Sequence, residues 1–79
     1  MKVGVIYDNQ AQLSDAKHHY RDDIDYEYTF LNFSCLLGHR FDKIIVYPPI
    51  YKDSVRRLKE DVPLKLRPGG ELVFHQEQP

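Results

Sequence analysis

This chain predicts an α/β domain built on a parallel sheet, and three observations in its second half carry the prediction. Phe41-Asp42-Lys43-Ile44-Ile45-Val46-Tyr47 is a strand-like run that Pro48-Pro49 stops, because proline cannot donate the amide a ladder needs. Tyr51, Val55, Leu58 and Val62 then recur at helical spacing, with Lys52, Arg56, Lys59 and Glu60 on the polar side. Leu66-Arg67-Pro68-Gly69-Gly70 reads as a turn leading into a strand over 72–75. Strand, helix, turn and strand form the repeating unit of α/β proteins.

The first half adds to this frame. Val3 to Tyr7 is a β-branched run whose continuous apolar character suits the interior of a parallel sheet. Gly4 within it permits a close approach by a neighbouring helix or backbone. Asn9 with Gln12 three residues on resembles a helix start, and Leu13, Ala16 and Tyr20 continue it, so a helix is expected over 10–20. Arg21 to Asp25 reads as a loop. Residues 26–37 carry two patterns at once: Tyr26, Tyr28 and Phe30 alternate as in a strand, while Ile24, Tyr28, Leu31 and Cys35 share a helical face. Gly38 stands where a helix C′ glycine would, which tips the reading to helix. Asp53 or Ser54 is expected to cap the helix before Pro63. The expected architecture is β-α-β-α-β: one domain over 1–79, with a three-stranded parallel sheet, flanking helices and a polar tail at 76–79.

Composition narrows the functional classes. Of 79 residues, 42% are hydrophobic and 13% aromatic, which indicates a folded domain. A domain this small buries only about 60–65% of the surface its unfolded chain exposes, so partners are a usual source of added stability. Cys35 is the single cysteine, which excludes an internal disulfide and fits a reducing compartment. Its neighbours Phe33, Leu36 and Leu37 suggest a small buried residue. The apolar run near Met1 is too short for a signal peptide or a membrane span, so a cytoplasmic protein without membrane association is expected.

Net charge is −1, but the charges are segregated. From Asp8 to Glu27 there are six acids and two bases, and from Lys52 to Arg67 six bases and three acids. An acidic half opposes nucleic-acid binding, and no helix-turn-helix, RRM or zinc pattern supports it. Segregated charge suits self-association, acidic surface to basic surface. The two exposed edges of a short parallel sheet point the same way.

Catalytic motifs are not completed. No phosphate-binding Gly-x-x-x-x-Gly-Lys-Ser/Thr or Gly-x-Gly-x-x-Gly occurs. Ser14, Ser34 and Ser54 lack a nucleophile-elbow context. His18 and His19 near Asp22, Asp23 and Asp25 are ligand types, but adjacent helical residues point about 100° apart, and no dedicated metal site or cofactor is expected. His39 reads as an exposed loop residue. In open α/β sheets ligands lie at the carboxyl ends of strands. Asp8, Tyr47, Pro48 and His75 are therefore the candidate ligand-binding residues. Tyr26, Tyr28 and Tyr51, with Arg56 and Arg57, are the candidate interface, since tyrosine and arginine are enriched at protein–protein contacts.

Residues 41–74 resemble the central part of Rossmann-like methyltransferases. The match lies in the strand running into Pro48-Pro49 and in Leu66-Arg67-Pro68-Gly69-Gly70. The likeness implies a Rossmann-like architecture. It departs at Tyr47, where the family has Asp, Asn or Ser, at Ile50, and at Tyr7-Asp8-Asn9-Gln10-Ala11, where the family's cofactor loop has glycine. Methyl transfer is set aside on those departures. The function expected is that of a small non-catalytic interaction or regulatory domain that self-associates, a type frequent in phage genomes. The alternative is a small-ligand or nucleotide site at the strand carboxyl ends.

Overall fold

The computed structural model describes residues 1–36, 38 and 40–75; Leu37, His39 and the expected tail at 76–79 lie outside them. The elements are β1 (Lys2–Tyr7), α1 (Gln10–His19), β2 (Glu27–Asn32), β3 (Phe41–Val46), α2 (Lys52–Glu60), a 3₁₀ turn (Val62–Lys65) and β4 (Leu66–Phe74). All pairings are parallel, in the order β2-β1-β3-β4. The α/β class is as expected, but the sheet has four strands rather than three. Among the described residues no helix is long and apolar enough to cross a membrane.

The fourth strand is β2, which lies in the segment read as helix. The ends of the supposed helical stripe fail: Ile24 is 99% exposed and Cys35 is exposed. Two carboxylates instead hold the chain extended. Asp23 accepts from the amides of Asp25 and Tyr26, and Asp22 accepts from that of Tyr28. The alternate reading then operates, with Tyr28 and Phe30 turned to the face where α1 lies and Leu31 to the other. Pairing with β1 decides between two local patterns of similar strength. The same shift exposes Cys35, which was expected to be buried. It falls in the β2–β3 crossover, where Phe33 and Leu36 turn inward in its place.

Each face of the sheet has its own apolar layer. Val3, Val5, Ala16, Ile45 and Tyr47 form one with α1. Ile6, Phe33, Leu36, Ile44, Val46 and Val62 anchor the other, to which Leu58 of α2 adds. The β1-to-β2 step runs one way along the sheet over one face. The β2-to-β3 and β3-to-β4 steps run the opposite way over the other. This is the arrangement a uniform crossover hand requires. Direction reverses between β1 and β3, so the chain diverges just beyond Tyr7 and Val46.

Local expectations fare unevenly. Gln12 N–H donates to the Asn9 side chain at 2.8 Å, which starts α1 as read. What comes close to Gly4 is a side chain rather than a helix or backbone: a Cβ there would sit 2.8 Å from the Phe41 ring. Neither Asp53 nor Ser54 caps α2, whose N-cap is Tyr51 with no capping side chain of its own. Of the predicted apolar stripe, Leu58 and Val62 pack inward, whereas Tyr51 and Val55 are exposed. Pro68-Gly69-Gly70 is not a free turn preceding the strand. It lies inside β4 as an irregularity between the Phe41–Leu66 and Lys43–Glu71 pairs. Gly69 has φ +80°, and a Cβ on Gly70 would meet the Asp42 carbonyl at 2.8 Å.

Candidate functional site

Asp8 leaves the carboxyl end of β1 at the point where the chain diverges, the place open α/β sheets use for ligands. Here its carboxylate is occupied by the protein itself. It accepts from the amides of Ile50 and Tyr51 and, at 2.7 Å, from the Ser54 hydroxyl. It thereby does the capping that α2 lacks locally, and places negative charge at the positive end of that helix. Gln12 completes the closure: its Oε1 accepts from Asp8 N–H at 2.7 Å and its Nε2 donates to Pro48 O at 2.9 Å. The β1 and β3 ends are thus stitched to each other through α1.

Tyr47 and His75, the other predicted site residues, do come together. Their rings stack at 4.1 Å and 18°. The Tyr47 hydroxyl donates to Asp15 Oδ2 at 2.6 Å. His75 Nδ1 lies 2.7 Å from the Tyr20 hydroxyl, and its Nε2 faces Asp15 Oδ2 at 3.5 Å. His19, one turn beyond Asp15 on α1, approaches Asp15 Oδ1 at 3.3 Å. The Tyr47 hydrogen bond, supported by the two imidazoles, holds the Asp15 carboxyl below its ordinary value. Burial pushes the Tyr20 phenol up, aided by Tyr28 and Asp15. Among the described residues no group of three His, Cys, Asp or Glu side chains is arranged to hold a metal ion.

The predicted site therefore splits. Tyr47 and His75 belong to an aromatic cluster beneath α1, whereas the polar partners of Asp8 lie in the loop and first turn that lead into α2. Pro48 contributes only its carbonyl. Of the interface candidates, Tyr26 and Tyr28 stack on each other on the α1 side. Tyr51, Arg56 and Arg57 lie at and along α2, across the sheet. Sequence reading missed Gln12's bond to Pro48 and the Asp15–His19–Tyr20 group. Their only signal was spacing on one helix, which says nothing about the strand ends beneath it.

Two recesses adjoin these groups. One of about 300 Å³ is lined by Asp8, Asn32, Ser34, Tyr51, Ser54 and Arg57. The other is a groove of about 470 Å³ over β3 and β4 on the α1 side, lined by Tyr20, Lys43, Ile45, Val73, Phe74 and His75. No family model, curated protein or solved structure matches this chain.

Proposed function

We propose that this chain is a small interaction module that works by binding protein, including a second copy of itself, rather than by catalysis. The observation that carries the reading is the uncovered strip of sheet: α1 seats on β1 and leaves the groove over β3 and β4 with an apolar floor of Ile45 and Val73. Phe74 lies exposed at its rim, with its ring turned by strand alternation to the α2 face. Contiguous apolar surface beside a sheet edge is the usual mark of a protein partner. The strand order supports a Rossmann-like reading of the architecture, in which a ligand would enter where the chain diverges. There Asp8, Gln12 and the Pro48–Ser54 segment already satisfy one another.

Sedimentation velocity over a tenfold concentration range, at low and high salt, tests the reading. A concentration-dependent increase in mass is expected, and a monomer throughout contradicts it. The second reading, a small-ligand site, has one observation in its favour: the recess of about 300 Å³ beside Asp8 carries Arg57 and two serines. A thermal-shift screen of nucleotides that raises the melting temperature of the wild type, and not of an Arg57→Ala variant, would favour it.

A further inference from the structure

The two edges of the sheet are not equivalent. Glu27 N–H bonds Met1 O on the β1 side, so by the alternation of a strand Tyr28, Phe30 and Asn32 turn their backbone groups outward. The two ends of that edge are already used, while Phe30 between them has no outward hydrogen-bond partner among the described residues. Asp22 takes Tyr28 N–H, Asp23 N–H takes Tyr26 O, and Cys35 N–H takes Asn32 O. Returning chain and carboxylates blunt β2, a known protection against edge pairing.

At the opposite edge, His75 N–H bonds Val46 O at 2.8 Å. Glu71 and Val73 therefore face β3, and Leu72 and Phe74 direct their backbone groups outward. Among the described residues these outward groups have no hydrogen-bond partner. Phe74 is 53% exposed at the same edge.

We propose that β4 is the self-association surface, and that a second copy of this chain adds its own β4 antiparallel, about a two-fold axis through Val73. This rests on the self-association reading above and specifies its geometry. The register is self-complementary. It sets Val73 opposite Val73 of the second copy and Leu72 opposite Phe74, with the His75 ring left on Tyr20, Tyr47 and Asp15. Apolar thus meets apolar on matching faces of the sheet. A slip of two residues either way sets Val73 opposite Glu71 or His75 and loses this match. Leu72 and Phe74, whose backbone groups face outward, form the hydrogen-bonded pairs. Val73 forms the close, non-hydrogen-bonded pair on the axis. An eight-stranded sheet results, with both α1 helices on one side and the two grooves joined across the axis.

Proline at position 74 removes an outward amide without touching the β3 ladder, and Phe74→Lys places a charge on the edge. Across the axis the Cα atoms of a non-hydrogen-bonded pair lie about 4.5 Å apart, within disulfide range. A Val73→Cys variant in a Cys35→Ser background should therefore form an oxidised dimer on mild oxidation. Four chains are compared by sedimentation velocity and non-reducing electrophoresis: wild type, Phe74→Pro, Phe74→Lys and Val73→Cys/Cys35→Ser. The expected result is a wild-type dimer, its loss in both Phe74 variants with unchanged circular dichroism, and a Val73 cross-link formed in high yield. If Phe74→Pro does not fold, Phe74→Lys and the cross-link decide. A wild-type dimer that survives Phe74→Lys and does not cross-link through Val73 overturns the β4 geometry and leaves self-association standing. A wild type that stays monomeric at the highest attainable concentration overturns both.

Discussion

Asp8 illustrates what one side chain does when it stands at a site of high functional prior. Its partners, two amides and a hydroxyl, are spent on α2. Leaving buried donors unsatisfied costs about 1–3 kcal/mol, so Asp8→Ala should lose that much in urea unfolding, and Asp8→Asn, which keeps an acceptor, should lose less. Equal losses would show that charge, not hydrogen bonding, dominates. Gly4 is constrained by contact rather than by conformation. Gly4→Ala drives a methyl into the Phe41 ring and should destabilise by roughly 1–3 kcal/mol. Phe41→Leu, costly alone, should be less than additive with it in a double-mutant cycle. Two carboxyls contribute to the acid limb of stability. Asp15 is held low by Tyr47, and Asp42 is held low by the Lys2 amide and by Arg67, both relative to an ordinary 3.8. Groups with depressed folded-state values add stability that is complete above the unfolded value and is lost as pH falls through the lower one. Stability should therefore drop below about pH 4, and Tyr47→Phe, which removes the main cause at Asp15, should flatten that drop in unfolding curves taken between pH 3 and 5.

At the scale of elements, α2 is only partly committed to the core. Leu58 is half-buried and Val62, just past the helix, is fully buried, whereas Val55 is 39% exposed. Leu58→Ala should cost about 1–2 kcal/mol, short of the roughly 2–5 kcal/mol of a fully buried leucine. Val55→Ala should fall within about 0.5 kcal/mol of wild type. Melting curves of the two variants check the placement. Elements β1, α1 and β3 were legible because their signals are local: β-branched runs, an Asn-x-x-Gln start, a double proline. Element β2 was not. Tyr28 and Phe30 alternate over too short a run to outweigh the Ile24–Cys35 stripe, and only pairing with β1 settles the matter. The cap of α2 was hidden for the same reason, since the accepting carboxylate lies more than forty positions away in sequence, at Asp8.

Across the whole molecule the segregated charges take separate positions: Asp22, Asp23, Asp25 and Glu27 gather before and at the start of β2, while the bases of α2 lie over one face of the sheet. Acidic-to-basic stacking of copies would be head-to-tail and would not close, whereas edge pairing about a two-fold stops at a dimer. The two modes differ in salt response. Edge pairing through backbone groups and apolar side chains should change little between low and high salt, while face stacking should weaken steeply as salt screens it. Sedimentation at two ionic strengths separates them: a single dimer boundary at both is expected. Of the residues predicted at the strand carboxyl ends, Tyr47 and His75 do meet, but beneath α1 and apart from the partners of Asp8. What the Asp8 side chain binds was not legible, because a carboxylate at a strand end reads the same whether it awaits a ligand or holds a loop.

The sheet contains no antiparallel pair, so no hairpin is available to nucleate it. The nearest strand partners are Lys2 with Glu27 and Phe41 with Leu66, and across the centre Gly4 pairs with the still more distant Ile44. Every ladder closes a long loop before any contact offsets the entropy lost, and chains of that kind fold slowly for their size. While β4 is still seeking β3, the central strands present bare apolar edges to other unfinished copies. Refolding yield should therefore fall with protein concentration even where the finished protein is stable.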